Sequence, residues 1–303
     1  MNKYIFLLCL FNIIWAGTLS AYKVLGEYLP AGTIVTIRFG LAGICMLPFW
    51  FLFKGNAPKG KDLLKTIVMG LLVFSLGHRL QVIGNNLGGA GNSAVIMALE
   101  PLLASVAAAL FLRESIPAKR WAGFALGMLG VAILNGVWRT DFQWTTMGAS
   151  ALFISSLACE TAYSIIGKPI VAKANPAKVL CLALLSGLVF NVLFEWKNLT
   201  NLPANLPLKV WILFLYLSII CTLLGYWVWL NAIKVIDVNL AALSIFIQPI
   251  AGVPMAAFFL SENIHIGQLW GGIIIGLGLL LGFSKDTLNS LNNCLNNKEE
   301  NPS

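Results

Sequence analysis

The sequence predicts an all-α, polytopic membrane protein with ten transmembrane helices, arranged as two inverted five-helix repeats. Three observations support this prediction. Of the 303 residues, 58% are hydrophobic and 11% are charged, and the mean hydropathy is +0.83, whereas soluble domains carry about 25% charged residues. Apolar segments long enough to cross a bilayer recur along the chain. The first half of the chain also matches the second half in register.

The composition excludes several classes of protein. So few charges cannot cover a water-soluble globule of this size, so soluble enzymes, disordered proteins and nucleic-acid binders are set aside. The net charge of +8 is interpreted as an indication of membrane orientation, because Lys and Arg are enriched in the cytoplasmic loops of membrane proteins. The six cysteines occur singly, without C-x-x-C spacing. We therefore predict no disulfide framework, no metal site and no cofactor.

Ten apolar segments are separated by short polar pieces such as KGNAPKGKD and AKANPAK, whose Gly, Pro and Asn residues stop helices. The first segment has the charged start and small-residue exit of a secretory signal. Its length, and the many spans that follow it, favour a membrane span instead. The predicted helices cover residues 4–22, 31–53, 63–84, 90–112, 117–137, 147–168, 177–195, 209–231, 238–260 and 265–284.

The distribution of Lys and Arg predicts the orientation of these helices. If the N-terminus is cytoplasmic, the segments on the cytoplasmic side hold fourteen Lys and Arg residues and the outer segments hold five, with Arg38 left inside a span. Positive residues are enriched on the cytoplasmic side. We therefore expect a multi-pass protein of the cytoplasmic (inner) membrane with both termini in the cytoplasm.

An internal repeat divides the chain. A shift of 148 residues aligns the two halves without gaps over more than fifty positions, pairing Pro101 with Pro249 and Glu114 with Glu262. Chance similarity between apolar helices does not pair Pro and Glu in register. Since five is odd, the second repeat would enter the membrane from the opposite side, as in secondary transporters with inverted repeats. The predicted domains are residues 1–137 for the first repeat, 138–284 for the second repeat and 285–303 for a polar, disordered cytoplasmic tail.

Two stretches carry a family resemblance. ALEPLLASVAAALFLRESIPAKRWAGFALGMLGVAIL and FIQPIAGVPMAAFFLSENIHIGQLWGGIIIGLGLLLG resemble the repeat signature of EamA-type members of the drug/metabolite transporter superfamily. The resemblance covers nearly the whole chain. It implies ten spans and transport by alternating access through a central cavity lined by helices one to four and six to nine. It does not indicate the substrate.

The signature residues are interpreted as structural. Glu114 and Glu262 each end a helix and precede an N-cap type of residue, so each turn needs a polar group that can reach free backbone groups. Pro101 and Pro249 are interpreted as architectural, because a proline within a span frees a carbonyl and permits a bend.

Ionisable residues at depth are the candidates for function, because a charge at a helix centre costs about 3 kcal/mol even on the gentler insertion scale. Glu100 and Glu160 lie near the middle of helices four and six, Arg38 lies in helix two, and His78 and Arg79 lie in the outer half of helix three. These groups must be paired, hydrated or neutral. A static ion-pair network, or snorkelling of the two arginines to the outer headgroups, is the structural alternative.

The functional interpretation assigns roles to these groups. Arg79 is predicted to bind an anionic group such as a substrate carboxylate, with Tyr226 and Trp227 as aromatic walls, although such rings also act as interfacial anchors. Glu100 and Glu160 are the proton-coupling candidates. The predicted substrate-binding residues are Arg79, Glu100, Glu160, Tyr163, Tyr226, Trp227 and Gln248. Weaker candidates are Asn12, Trp15, Tyr22, Thr161 and Ser164.

The leading functional hypothesis is a secondary-active exporter of a small polar metabolite, such as an amino acid or an organic anion. The sequence contains no nucleotide-binding P-loop and no HExxH or GxSxG motif, so neither ATP hydrolysis nor another enzymatic activity is predicted. The expected partners are a small-molecule substrate, the lipid bilayer and a proton or other coupling ion, with no nucleic acid; a homodimer is left open. The alternative is a non-transporting sensor or partner subunit that retains the fold.

Overall fold

The computed structural model describes residues 3–88, 90–137, 147–203, 205–260 and 266–283. Within these ranges the regular structure is helical and contains no β-strand. Seven helices in this part of the chain are long and apolar enough to cross a membrane, and shorter apolar helices accompany them. The all-helical prediction is therefore confirmed for the described residues.

The helices of the first half follow the predicted segments but contain breaks. They are α1 (Lys3–Trp15), α2 (Thr18–Gly26), α3 (Ala31–Leu52), α4 (Lys61–Leu71), α5 (His78–Gly88), α6 (Ala90–Met97), α7 (Glu100–Leu112) and α8 (Ala118–Leu134). A π-helical turn, Leu72–Gly77, joins α4 to α5. The break between α6 and α7 lies directly before Glu100 and Pro101, where the proline has no N–H to continue the helical hydrogen bonds.

The second half repeats these features. Its helices are α9 (Met147–Val171), α10 (Pro176–Thr200), α11 (Leu208–Leu215), α12 (Gly225–Ile233), α13 (Val238–Leu243), α14 (Ile247–Leu260) and α15 (Ile266–Gly282). A π-helical turn, Tyr216–Leu224, joins α11 to α12, and a 3₁₀ turn, Ser244–Phe246, precedes α14. Helix α10 continues five residues beyond its predicted end at residue 195, because the first strong stop signals are Asn201 and Pro203.

Helix α8 of the first half packs closely against helix α15 of the second half. A Cβ added to Gly123 would lie 2.8 Å from the Gly278 carbonyl oxygen, and a Cβ added to Gly278 would lie 2.8 Å from the Gly123 carbonyl oxygen. Gly130 and Gly271 face each other in the same reciprocal way, at 2.8 and 2.6 Å. Since the early glycine of each helix meets the late glycine of the other, the helices run antiparallel. Only glycine permits so close an approach of two backbones.

The distribution of polar and apolar side chains is that of a protein in lipid. Large apolar side chains lie on the outside, with Phe51 83% exposed and Leu110 and Leu193 each 71% exposed. Polar side chains such as Asn12 and Asn191 are fully buried. Lipid solvates an apolar exterior without the penalty that water would impose, while polar groups must find partners inside.

Glu114 connects the two halves at one end of the molecule. Its carboxylate accepts hydrogen bonds from the backbone N–H groups of Val238 at 2.9 Å and Asn239 at 3.1 Å, in the first turn of α13. It also pairs with the Lys168 ammonium group of α9 at 2.7 Å. These four residues are called the Glu114 clamp below. Glu114 thus caps a helix of the opposite half, whereas Glu262 lies outside the described residues.

Candidate functional site

A cavity of about 80 Å³ lies between the two halves of the chain. On this measure one water needs about 10–15 Å³, so the cavity has room for several waters or a small solute. Its walls come from α1, α2, α3, α5, α6, α7, α9, α12, α14 and the 3₁₀ turn. It is therefore built by both halves.

Residues that the 148-residue shift pairs meet in the cavity wall. His78 and Tyr226 are 148 residues apart, and their side chains hydrogen-bond to each other, with 2.8 Å between the imidazole Nε2 and the hydroxyl. Two residues exchanged by a two-fold axis can touch only where that axis passes. The other lining pairs at this spacing are Trp15 with Tyr163, Gln81 with Trp229, Met97 with Ile245 and Glu100 with Gln248.

The charged lining residues break this symmetry. Glu160 corresponds to Asn12 in the other half, and Arg38 corresponds to Ser186. Glu100 corresponds to Gln248, whose side chain is a neutral amide. The ionisable residues whose counterparts are not ionisable, Arg38, Glu100 and Glu160, therefore give the cavity its charge.

Glu160 is held by a network of hydrogen bonds. One carboxylate oxygen lies 2.9 Å from the Nε2 of His78, and the Tyr226 hydroxyl lies 3.1 and 3.2 Å from the two oxygens. The other imidazole nitrogen of His78 lies 3.1 Å from the Tyr22 hydroxyl and 3.0 Å from the Gln81 amide oxygen. The Glu160 carboxylate therefore has a fixed position in the cavity wall.

Arg38 lines the same cavity and is only 1% exposed. Its Nε donates to the Thr222 hydroxyl at 2.9 Å, and its guanidinium also donates to the Tyr22 hydroxyl. The guanidinium lies 4.8 Å from the Phe39 ring centroid, within cation–π distance. No Asp or Glu of the described residues is within ion-pair distance of it. Arg38 is therefore a buried cation whose direct partners are all neutral.

Arg79 lies elsewhere. Its guanidinium contacts a Glu195 oxygen at 2.6 Å and the Asn191 amide oxygen at 3.1 Å. Asn191 in turn donates to the Phe74 carbonyl in the π-helical turn, at 2.8 Å. The prediction placed Arg79 in the cavity to meet a substrate carboxylate, but the structure gives it a carboxylate from α10 and leaves it out of the cavity wall.

The structure brings together most of the other predicted residues. Glu100, Glu160, Tyr163, Tyr226 and Gln248 line the cavity. Trp227 does not: its ring packs 5.7 Å from that of Phe53. Gln248 donates to the Asn12 amide oxygen at 2.8 Å. The Tyr163 hydroxyl is buried and has no hydrogen-bond partner among the groups that the structure describes.

The predicted site residues did not include several contributors to this site, namely Thr18, Leu19, Gln81, Met97, Trp229 and Ile245 in the cavity wall and Thr222 beside Arg38. Arg38 and His78 were identified only as ionisable residues within the membrane. Gln81 could have been found, because it is polar, lies in helix three and maps by the 148-residue shift onto Trp229. Thr222 carries no such signal. It donates to the Leu217 carbonyl five residues earlier, at 2.7 Å, within the π-helical turn Tyr216–Leu224. Such turns are frequent at functional sites.

The comparison with known families identifies the chain. The model of the EamA-like transporter family matches it twice, over residues 2–136 and 147–284. The chain belongs to the EamA-like transporter family. It is accordingly a multi-pass membrane protein and a transporter rather than an enzyme.

Relatives of this EamA-like protein match it nearly end to end. It is 25% identical over 287 residues to the uncharacterized transporter YyaM of Bacillus subtilis, covering 92% of this chain and 93% of the relative. It is 23% identical over 282 residues to a probable terminal-alkyne amino-acid exporter of Streptantibioticus cattleyicolor, covering 93% of each. A solved crystal structure has the same fold, with a TM-score of 0.74 at 16% identity, covering 93% of this chain and 98% of that one.

Proposed function

We propose that this protein is a secondary-active exporter of a small polar metabolite with a carboxylate group, such as an amino acid, and that it works by alternating access. The observation that carries the proposal is the charged cavity on the axis between the halves, where His78 meets Tyr226. A site on such an axis can be opened to either membrane face when the two halves exchange conformations. The name of the amino-acid exporter among the relatives supports the substrate class.

The proposal requires residues 1–137 and 138–284 to be inverted relative to each other. The antiparallel contact of α8 with α15 supports this, because a repeat of the same orientation would place equivalent helices parallel. Helices α3 and α10 support it too: a Cβ on Gly40 would lie 3.1 Å from Leu188, and one on Gly43 would lie 3.6 Å from Leu184. The later residue of α3 again meets the earlier residue of α10.

The Glu114 clamp supports a closed state at one membrane face. It ties the end of α7 to α9 and to the start of α13, and it lies beyond Leu112, about 18 Å along α7 from Glu100 at 1.5 Å per residue. With both termini in the cytoplasm, this end of α7 is the cytoplasmic end. Substrate can then enter from the cytoplasm only when the clamp opens.

The clamp can be tested by accessibility. Glu114→Gln keeps the shape of the side chain but removes the charge that attracts Lys168. We expect a cysteine placed at Ser164, in the cavity wall, to react faster with a cytoplasmic thiol reagent in this variant, in a background whose native cysteines are replaced. Lys178→Gln is the matched control, since its ammonium group packs on the Trp50 ring instead. Equal reaction rates in the two variants would argue against a gating role.

Glu100 and Glu160 remain the candidates for ion coupling. Both carboxyl groups line the cavity, and either a proton or an ammonium group of the substrate would neutralise one of them. Proton exchange against substrate would then drive export. We expect Glu100→Gln to flatten the pH dependence of transport, measured as flux into vesicles at several external pH values. A profile identical to that of the wild type would remove Glu100 from the coupling step.

The decisive experiment for transport is counterflow of radiolabelled metabolite pools in proteoliposomes that contain only this protein. We expect accumulation of at least one carboxylate metabolite and its loss in Glu160→Gln. A non-transporting sensor or partner subunit is the competing function. Specific binding without flux would favour that alternative.

A further inference from the structure

We propose that Arg38 is the residue that selects the carboxylate of the substrate, with Glu160 receiving its ammonium group. This inference deepens the proposed function and rests on it. Three features of the site lead to it: the missing counter-charge of Arg38, the way its guanidinium is oriented, and the asymmetry of charge between the two halves.

The first feature is the missing counter-charge. A buried ion is costly unless it is paired, and the same protein pairs Arg79 with Glu195 at 2.6 Å. Arg38 is more deeply buried than Arg79, yet its direct partners are the hydroxyls of Tyr22 and Thr222. Because it faces a cavity with room for a solute, the missing anion can be supplied by a ligand.

The second feature is orientation. The Thr222 hydroxyl gives its proton to the Leu217 carbonyl and so offers a lone pair to the Nε of Arg38. Tyr22, which receives a second N–H, is itself within hydrogen-bond distance of His78. A guanidinium has five N–H donors in a fixed plane, so those not used by the two hydroxyls remain to bind a carboxylate in two-pronged geometry.

The third feature is the asymmetry of charge. Arg38 and Glu160 line one cavity, while their counterparts in the other half are neutral. Opposite charges in one small cavity match a solute that carries both a carboxylate and an ammonium group. A dicarboxylate has no ammonium group, so its second carboxylate would lie near Glu160 and Glu100 with no positive charge to offset the repulsion. The cavity is therefore selective for amino acids over dicarboxylates and over simple amines.

The test compares the standard amino acids with their methyl esters, which keep the ammonium group and lose the carboxylate charge. Binding is measured on purified full-length protein by ligand-induced thermal stabilisation, and transport by counterflow. For the amino acid that the wild type favours, we expect Arg38→Met to weaken apparent affinity by about 10- to 100-fold, as for loss of a charge-assisted hydrogen bond, and to change affinity for the ester by less than about threefold. Arg38→Lys should restore part of the discrimination.

The matched control is the double variant R79Q/E195Q, which removes the partly buried Arg79 together with its counter-charge. It should retain the preference of the wild type for the free amino acid. Binding of the ester by R38M shows that this variant is folded. If R38M does not fold, the test uses R38K, which should discriminate between the free amino acid and its ester less strongly than the wild type does. Unchanged discrimination in R38M or R38K would overturn the inference. Absence of any amino acid ligand would also overturn it, while flux of another metabolite would leave the proposed function standing.

Discussion

Arg38 and Arg79 occupy comparable places in the sequence and contrasting places in the structure. Both are single arginines within apolar segments. Arg79 follows the π-helical turn Leu72–Gly77, and Arg38 contacts Thr222 in the π-helical turn Tyr216–Leu224. Arg79 meets the Glu195 carboxylate and the Asn191 amide. Arg38 meets two hydroxyls and faces the cavity. One arginine is neutralised within the protein, and the other leaves its charge available to a ligand.

The difference shows that depth in the membrane does not distinguish a structural charge from a functional one. Insertion energetics require that each be compensated, and compensation can come from the protein or from the solute. The contacts that distinguish the two arginines join residues more than one hundred positions apart in the sequence. Arg79 contacts Glu195, and Arg38 contacts Thr222. Variants that change the surroundings of either arginine test this contrast.

Removing the counter-charge of Arg79 should cost the most stability. Glu195→Gln leaves the Arg79 guanidinium, which is 20% exposed, without its anion, and we expect the free energy of unfolding to fall by about 2–3 kcal/mol. The double variant R79Q/E195Q should recover part of that loss because no charge is left unpaired. Unfolding of the purified proteins in detergent measures both effects. If the single variant is no less stable than the double one, the ion pair is not what holds Arg79.

A carboxylate introduced next to Arg38 should neutralise it within the protein, as Glu195 neutralises Arg79. Thr222→Asp places a carboxylate where the Nε of Arg38 now meets a hydroxyl. We expect apparent affinity for a carboxylate substrate to fall by about tenfold or more, since an internal charge-assisted hydrogen bond worth about 1.5–3 kcal/mol competes with the ligand.

Thr222→Val is the matched control for this variant. It removes the same hydroxyl without adding charge, so it should weaken binding much less than T222D. Counterflow and thermal stabilisation by substrate report both changes. Wild-type affinity in T222D would contradict the role assigned to Arg38.

Weakening the hydrogen-bond network around Glu160 should have a smaller effect. Tyr226→Phe removes the hydroxyl that bridges His78 and Glu160. Loss of a hydrogen bond of this kind is worth about 1 kcal/mol, so we expect roughly a fivefold rise in the KM for transport. Tyr4→Phe, far from the cavity near the start of α1, is the control and should leave the KM unchanged. A Y226F protein with the wild-type KM would mean that the position of Glu160 does not depend on this bridge.

The smallest effect is expected at Tyr163, whose buried hydroxyl has no partner among the described groups. Tyr163→Phe should leave the stability unchanged or raise it by up to about 1 kcal/mol, because it removes an unsatisfied group. Affinity for substrate should fall by about threefold if this hydroxyl bonds the solute. Tyr216→Phe is the control with the opposite effect on stability, since the Tyr216 hydroxyl donates to the Ile14 carbonyl. A Y163F protein that is less stable than Y216F would contradict this assignment.

Much of the architecture was predictable because it depends on periodic or repeated features. Apolar length predicts the helices, and the break before Glu100 follows from Pro101. The 148-residue shift pairs His78 with Tyr226 and Glu100 with Gln248, and all four residues line the cavity. The end of α10 was less predictable, because the polar residues near Glu195 resemble a loop although they continue the helix.

By itself, the sequence determined that the chain is a membrane protein and that it consists of two related halves. It also determined that a few charged residues lie too deep in the membrane to remain without a counter-charge or hydrogen-bond partner. These properties depend on composition and on position along the chain. Only the tertiary structure decided which charges are neutralised internally and which face a cavity. Insertion energy depends on how deep a charge lies in the membrane, whereas pairing depends on the distance to a partner that can lie anywhere in the chain. That is why Arg38, and not Arg79, emerged as the arginine open to a ligand.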